Sequence, residues 1–143
     1  MQIERTALDD VFILRPRKHA DARGFVAETF KASVLRDAGV THEWTQENHS
    51  YSARAGTVRG LHFQAPPAAQ AKLVRVLRGA IFDVALDIRR ASPTFGQHVA
   101  IELSADNMQQ LYIPAGFAHG FCTLTDNAEV LYKVSADYAP TQE

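Results

Sequence analysis

Three side chains set in apolar, strand-patterned surroundings have the types needed for acid–base work at carbon. They are His62 in Arg59-Gly60-Leu61-His62-Phe63-Gln64, Lys72 at the head of an apolar run, and Tyr132 in Tyr132-Lys133. Histidine titrates near neutral pH, so His62 is a candidate general base. Tyr132 is a candidate proton donor, and Lys72 can stabilise a developing oxyanion. That set suits removal of a proton next to a ketone, followed by reprotonation of the enolate on its other face. A further polar stretch, Gln46-Glu47-Asn48-His49-Ser50, stands out in the same way. A basic side chain pointing inward from a strand is costly without a partner, which favours a functional reason for it. Arg59 and Lys72 pointing to solvent from an edge strand is the alternative, and composition leaves both orientations open.

Strand alternation places Arg59, Leu61 and Phe63 on one face and Gly60, His62 and Gln64 on the other. If Arg59 and His62 serve one pocket, the chain must bend or bulge at Gly60. Metal binding is the other chemistry a barrel histidine raises. Metal sites of cupin-type barrels resemble a Gly, a His-x-His pair with a Glu a few residues on, and a later His. Here His62 is followed by Phe63-Gln64, no Glu stands between Gln64 and Lys72, and only His119 matches the later position. Two histidines are too few for a stable zinc or iron site without added carboxylates, so no metal is expected.

The elements that must position these groups are mostly strands. Leu73-Val74-Arg75-Val76-Leu77 runs to a turn at Arg78-Gly79, after which Phe82, Val84, Leu86 and Ile88 alternate with Ile81, Asp83, Ala85 and Asp87. Further strands are predicted at 11–14, 99–103, 111–113, 119–124 and 129–134, separated by turn signals such as Ser92-Pro93 and Pro114-Ala115-Gly116. Asp21-Ala22-Arg23-Gly24-Phe25 reads as a turn. One short N-terminal helix is predicted over about residues 30–38, with Phe30, Val34, Leu35 and Ala38 on one face and Gly39 at its C-terminal cap. Many short strands and one early helix predict a mainly β chain, an antiparallel barrel or jelly roll in a single domain, 1–143.

Length and composition agree. A chain of 143 residues that is 46% hydrophobic and 22% charged can bury one core. Its 15 basic and 16 acidic residues give a net charge of −1, so no bulk field recruits nucleic acid or an anionic membrane. An anionic ligand must therefore be held by individually placed cations. One cysteine excludes an internal disulfide, no signal peptide is visible, and no apolar run approaches membrane-spanning length. A cytoplasmic location is the expectation.

These stretches, with Phe82–Arg89, Ser92-Pro93-Thr94-Phe95-Gly96, Ile113–Phe121 and Ala128–Lys133, stand in order along nearly the whole chain and resemble the dTDP-4-dehydrorhamnose 3,5-epimerase family. The resemblance implies a cupin-like jelly roll, a homodimer, and catalysis without metal or nicotinamide, so no cofactor. It implies dTDP-4-dehydro-6-deoxy-glucose as substrate, inverted at C3 and C5 on the route to dTDP-L-rhamnose. By resemblance the base falls on His62, the proton donor on Tyr132, Lys72 by the C4 oxygen and His119 near the sugar. Arg23, Glu28, Gln46, Glu47, Asn48 and Arg59 fall on nucleotide and diphosphate contacts, Tyr138 on a thymine-stacking position, and Glu143 on a further ligand contact. Guanidinium forks suit diphosphate oxygens. Members of the family run on beyond the position of Glu143, in a segment that carries the carboxylate pairing with the catalytic histidine and a basic ligand contact. This chain is therefore expected to lack that segment, and Asp83 is the candidate to orient His62 in its place. The alternatives are an epimerase or isomerase of a related dTDP-4-keto sugar that acts at one carbon, and a nucleotide-sugar binding protein without activity. A metal cupin such as a dioxygenase is disfavoured by Phe63 and Gln64.

Overall fold

The computed structural model describes residues 1–143. Its strands are β1 (Gln2–Arg5), β2 (Phe12–Arg15), β3 (Lys18–Asp21), β4 (Gly24–Ala27), β5 (Gln46–Ser52), β6 (Val58–His62), β7 (Lys72–Arg78), β8 (Ala80–Asp87), β9 (His98–Ser104), β10 (Gln110–Ile113), β11 (Phe117–Thr123) and β12 (Ala128–Val134). One helix, α1 (Ala32–Asp37), and a 3₁₀ turn at Pro140–Gln142 complete it. No helix is long and apolar enough to cross a membrane.

Alternation writes the sheets. β1-β2-β10-β7-β12-β5 form one sheet and β6-β11-β8-β9 a second, all paired antiparallel. Val74, Val76 and Val130 from the first face Ile81, Ala85, Leu103 and Phe121 from the second, in a core of 14 buried apolar residues. The mainly β jelly roll expected from sequence holds, as two opposed sheets that stay open rather than as a closed cylinder. The turn expected at Arg78-Gly79 carries the chain from one sheet to the other, since β7 and β8 are not partners.

A smaller cluster under α1 joins Leu35 and Val40 to Phe12, Leu14, Leu73 and Tyr112 on the outer face of the larger sheet. The helix is shorter than predicted, and Phe30 lies outside it. Gly39 does end it, at φ +97°, with its N–H donating to Arg36 O and the Val40 N–H to Leu35 O, both at 2.9 Å. The Asp87…Arg89…Ser92…Thr94 stretch also has a structural role. The fully buried Asp87 carboxylate accepts from the Arg89 guanidinium (3.0 Å), Ser92 Oγ (2.6 Å) and Thr94 Oγ1 (2.5 Å). Those donors, Arg89 above all, hold it well below the usual carboxylate range and fix the loop after β8.

The irregularity that matters most lies between β6 and β11. Arg59 pairs with Phe121 and His62 with His119, so three steps along β6 match two along β11. The extra residue is accommodated at Gly60, whose φ is +97°. A Cβ there would stand 2.6 Å from His119 O and 2.8 Å from Gly120 Cα. Gly96 offers a control, because it has φ +82° but open space around it. Both Gly→Ala substitutions should cost the left-handed penalty of about 1–2 kcal/mol. Gly60→Ala should cost about 1–3 kcal/mol more, because rigid backbone must move. Urea unfolding of the two variants checks this, and equal losses would show that the β6–β11 approach yields freely.

Candidate active site

The bulge turns both Arg59 and His62 inward. Without it, alternation would send one of them to solvent. Facing them, β7 and β12 deliver Lys72 and Tyr132 from the other sheet. His62, Lys72 and Tyr132 line a cavity of about 370 Å³ with Ser50, Arg59 and His119, and the same three line an adjoining space of about 220 Å³ with Asn48 and Tyr138. The site therefore opens between the edge strands β5 and β6, at the place where the two sheets fail to close.

β5 contributes through strict alternation. Gln46, Asn48, Ser50 and Ser52 point inward, while Glu47, His49 and Tyr51 are exposed. Asn48 accepts from Gln46 Nε2 at 2.8 Å. Arg59 reaches across from β6, donating from Nε to Ser52 Oγ at 3.0 Å and from Nη2 to Tyr51 O at 2.9 Å. Three of its five N–H groups remain for an anionic ligand. Ser50 Oγ is buried without a partner beside this cavity. Sequence reasoning named Ser50 only as part of a polar stretch and passed over Ser52, although the period of two in the polar residues from Gln46 onward carried the signal.

Lys72 is buried at 8% exposure, with its Nζ 6.0 Å from the centre of the Tyr132 ring. Burial pulls its pKa below the ordinary lysine value, partly offset by the Asp83 and Glu143 carboxylates. Asp83 is fully buried and takes His119 Nε2 at 2.6 Å. Its second oxygen, Oδ2, is buried without a partner. The candidate orienter of His62 is thus committed to His119, because Asp83 pairs across β8–β11 with the Phe121 position. The carboxylate that meets His62 is Glu143, with Oε1 3.2 Å from Nδ1. Tyr138 donates from its hydroxyl to Glu143 Oε2 at 3.0 Å, which raises the Tyr138 pKa.

Three residues expected to contact the ligand do not line the cavity of this chain. Glu47 faces outward on β5 and pairs with Lys133, its neighbour in the β5–β12 register. Arg23 sits at the tip of the β3–β4 hairpin, 90% exposed, where its pairing with Asp21 (2.7 Å) lowers the Asp21 pKa. Glu28 is exposed just past that hairpin, and neither it nor Arg23 lines the cavity. No three histidine, cysteine or carboxylate side chains stand together as metal ligands. His119 is bound to Asp83, and Gln64, which lines the smaller space, is engaged with Ala68 O (2.7 Å) and the Ala139 N–H (3.0 Å).

Comparison with known proteins agrees with this geometry. The model of the family described as dTDP-4-dehydrorhamnose 3,5-epimerase matches residues 5–143. The dTDP-4-dehydrorhamnose 3,5-epimerase of Shigella flexneri is 50% identical over all of this chain and 79% of its own length. The crystal structure of the Bacillus anthracis enzyme of that name, with TDP and PPi bound, superposes with a TM-score of 0.96. It is 50% identical, over 99% of this chain and 81% of that one. A Legionella pneumophila dTDP-6-deoxy-D-glucose-3,5-epimerase in complex with dTDP-4-keto-L-rhamnose gives 0.94 at 44% identity, over 99% of this chain and 74% of that one. A base candidate and an acid candidate facing each other across one cavity, on a chain matched from end to end, make this protein a member of the dTDP-4-dehydrorhamnose 3,5-epimerase family.

Proposed function

We propose that the protein inverts C3 and C5 of dTDP-4-dehydro-6-deoxy-D-glucose through enolate intermediates, giving dTDP-4-dehydro-L-rhamnose for dTDP-L-rhamnose synthesis. The observation that carries this reading is the placement of His62 on one sheet and Tyr132 on the other, sharing a cavity with Lys72. Inversion needs a base and an acid on opposite faces of the same carbon. A base that returns its own proton restores the starting configuration. His62 removes the proton, Lys72 lies where it can balance charge on the C4 oxygen, and Tyr132 delivers a proton from the far side. Arg59, steadied by Ser52 and Tyr51, holds the diphosphate, with Gln46, Asn48 and Tyr138 along the nucleotide and His119 by the sugar.

The working form in this proposal is a homodimer. The β3–β4 hairpin pairs only with itself and exposes Phe25 at 55% and Val26 at 75%. Arg23 and Glu28 lie on or beside it, so they reach a cavity only if the hairpin of one copy extends over the other. Mixing Arg23→Ala protein with His62→Asn protein should then regain activity that neither has alone, because a mixed dimer contains one intact site. No recovery on mixing, with subunit exchange verified, would remove Arg23 from the partner's site.

Proton NMR of the substrate in deuterated water tests the reaction, since it reports exchange at C3 and C5 separately. His62→Asn should lower exchange at both carbons by about 10²–10⁴-fold. Tyr132→Phe should let deuterium wash in beside the ketone while epimerised product falls about 10²-fold or more. Exchange at one carbon only would mark an epimerase acting at a single centre.

Lys72 gives a second check, because burial makes its charge costly to stability while the reaction needs it. Lys72→Met should leave the fold neutral to about 2 kcal/mol more stable, while turnover falls about 10²–10³-fold. The pH dependence has a definite sign. Between the lowered folded pKa and the ordinary lysine value, the unfolded chain binds more protons, so wild-type stability rises with pH through that window. Lys72→Met should lose that rise. Urea titrations across alkaline pH measure it, and identical profiles for both proteins would show that Lys72 is solvated.

A further inference from the structure

We infer that Ser50 is a specificity-determining residue of this site, whose hydroxyl donates to the oxygen of the substrate's C2 hydroxyl, beside the reacting C3. This rests on the reading of His62, Lys72 and Tyr132 as the groups that act on C3 and C5. It adds the feature of the sugar that the cavity selects.

A hydroxyl enclosed by protein needs a partner, because one left unpaired destabilises the fold. Ser50 Oγ is buried and has none. Of the four inward residues of β5, Gln46 bonds Asn48 and Ser52 accepts from Arg59, so Ser50 alone is without a bond. β5 is an edge strand, and its one neighbour, β12, sets the apolar Val130 opposite Ser50. The two cations that share the larger cavity with Ser50, Arg59 and Lys72, have donors only. His119, also in that lining, is engaged with Asp83. The other buried oxygen without a partner, Asp83 Oδ2, belongs to a residue outside the cavity lining. The acceptor that the Ser50 proton lacks is thus left for a ligand to supply.

Strand register says which part of the substrate comes to it. In the β5–β12 ladder Tyr132 is opposite Asn48 and Val130 is opposite Ser50. Ser52, one inward step further, accepts from Arg59 Nε at 3.0 Å. Ser50 therefore stands between the level of the proton donor and the anchor of the guanidinium, about 7 Å along the strand from each. Ser50 lines the larger cavity and is absent from the adjoining space that holds Asn48 and Tyr138, which sets it with the sugar rather than the nucleotide. In the substrate the diphosphate leaves from C1, and two links join C1 to the reacting carbons. One is the ring oxygen, flanked by carbon on both sides within the ring. The other is C2, whose hydroxyl projects from the ring toward a wall. A wall that gives a buried hydroxyl no other partner discriminates, because a substrate lacking the matching oxygen leaves that donor unpaired. Sugars with only hydrogen at C2 are the class it rejects.

The test pairs one change in the protein with one change in the substrate. Wild-type protein and Ser50→Ala are given dTDP-4-dehydro-6-deoxy-D-glucose and its 2-deoxy counterpart, and exchange at C3 and C5 is followed in deuterated water. Ser50→Ala should lose about 10–100-fold in kcat/KM on the hydroxylated sugar and change less than about threefold on the 2-deoxy sugar. The preference between the two sugars then shrinks by that factor. The urea midpoint of Ser50→Ala should be unchanged or higher, because alanine removes an unpaired polar atom. An equal fall on both sugars overturns the proposal and makes Ser50 a diphosphate contact or a part of the wall. No fall on the hydroxylated sugar overturns it as well. Absence of exchange in the wild-type protein overturns the reaction instead. Binding of dTDP-D-glucose against dTDP-2-deoxy-D-glucose by the two proteins then decides the Ser50 contact by itself, and equal preferences in both sink it.

Discussion

The site depends on two glycines that leave no room for a side chain between neighbouring strands. A Cβ on Gly60 would stand 2.8 Å from Gly120 Cα, and one on Gly120 would stand 2.7 Å from Arg59 O. Only this close approach lets β6 carry one more residue than β11 between two inward-facing positions. Arg59 and His62, three apart in sequence, thereby point into the same cavity. The bulge also lies on an edge strand, where irregular pairing disturbs one ladder instead of two. Arg59 then spans the gap to β5, so the opening between the sheets is tied by a side chain that still has N–H groups to offer.

Polarity inside the sandwich works against its stability, and the distribution of partners shows where that cost is tolerated. Asp87 is buried with every oxygen engaged, and its surroundings are a loop. Asp83 Oδ2 and Ser50 Oγ are buried and unengaged, and both belong to the region around Lys72 and His119. Unsatisfied buried groups are rare in folded proteins, so these two mark the part of the sandwich where polarity is least compensated. The apolar core between the sheets, from Leu8 to Val130, supplies the burial that offsets this end of the molecule. Lys72 carries the same cost of buried polarity, since desolvation lowers its pKa.

Local pattern made much of this legible in the sequence. Alternation in β8, β9, β11 and β12 predicted strands to within a residue or two at each end, and Gly39 marked the end of α1. The need for a bulge at Gly60 followed from Arg59 and His62 occupying opposite phases of a regular strand. What could not be read was pairing between distant segments. Nothing local says that β7 and β8 belong to different sheets, that Asp83 meets His119, or that Glu47 pairs with Lys133. The outward turn of Glu47 was recoverable from the polar period of β5, because Asn48 and Ser50 cannot share a face with it. The meeting of Glu143 with His62 was not recoverable, since it spans the fold.

A two-sheet sandwich suits an inversion for a reason that precedes any particular residue. A single wall can offer groups to only one face of a flat enolate, however those groups are tuned. With His62 on β6 as the proposed base and Tyr132 on β12 as the proposed acid, in different sheets, a carbon held between them would be addressed from both sides without any element moving across the cavity. The separation is held by the apolar core behind the site, which keeps the sheets apart by the thickness of packed side chains. Lys72, on the same sheet as Tyr132 but on the neighbouring strand, would in that proposal reach the carbonyl oxygen without blocking either path. The proposed chemistry would therefore rest on the layer arrangement, with the side chains at its open edge selecting the sugar.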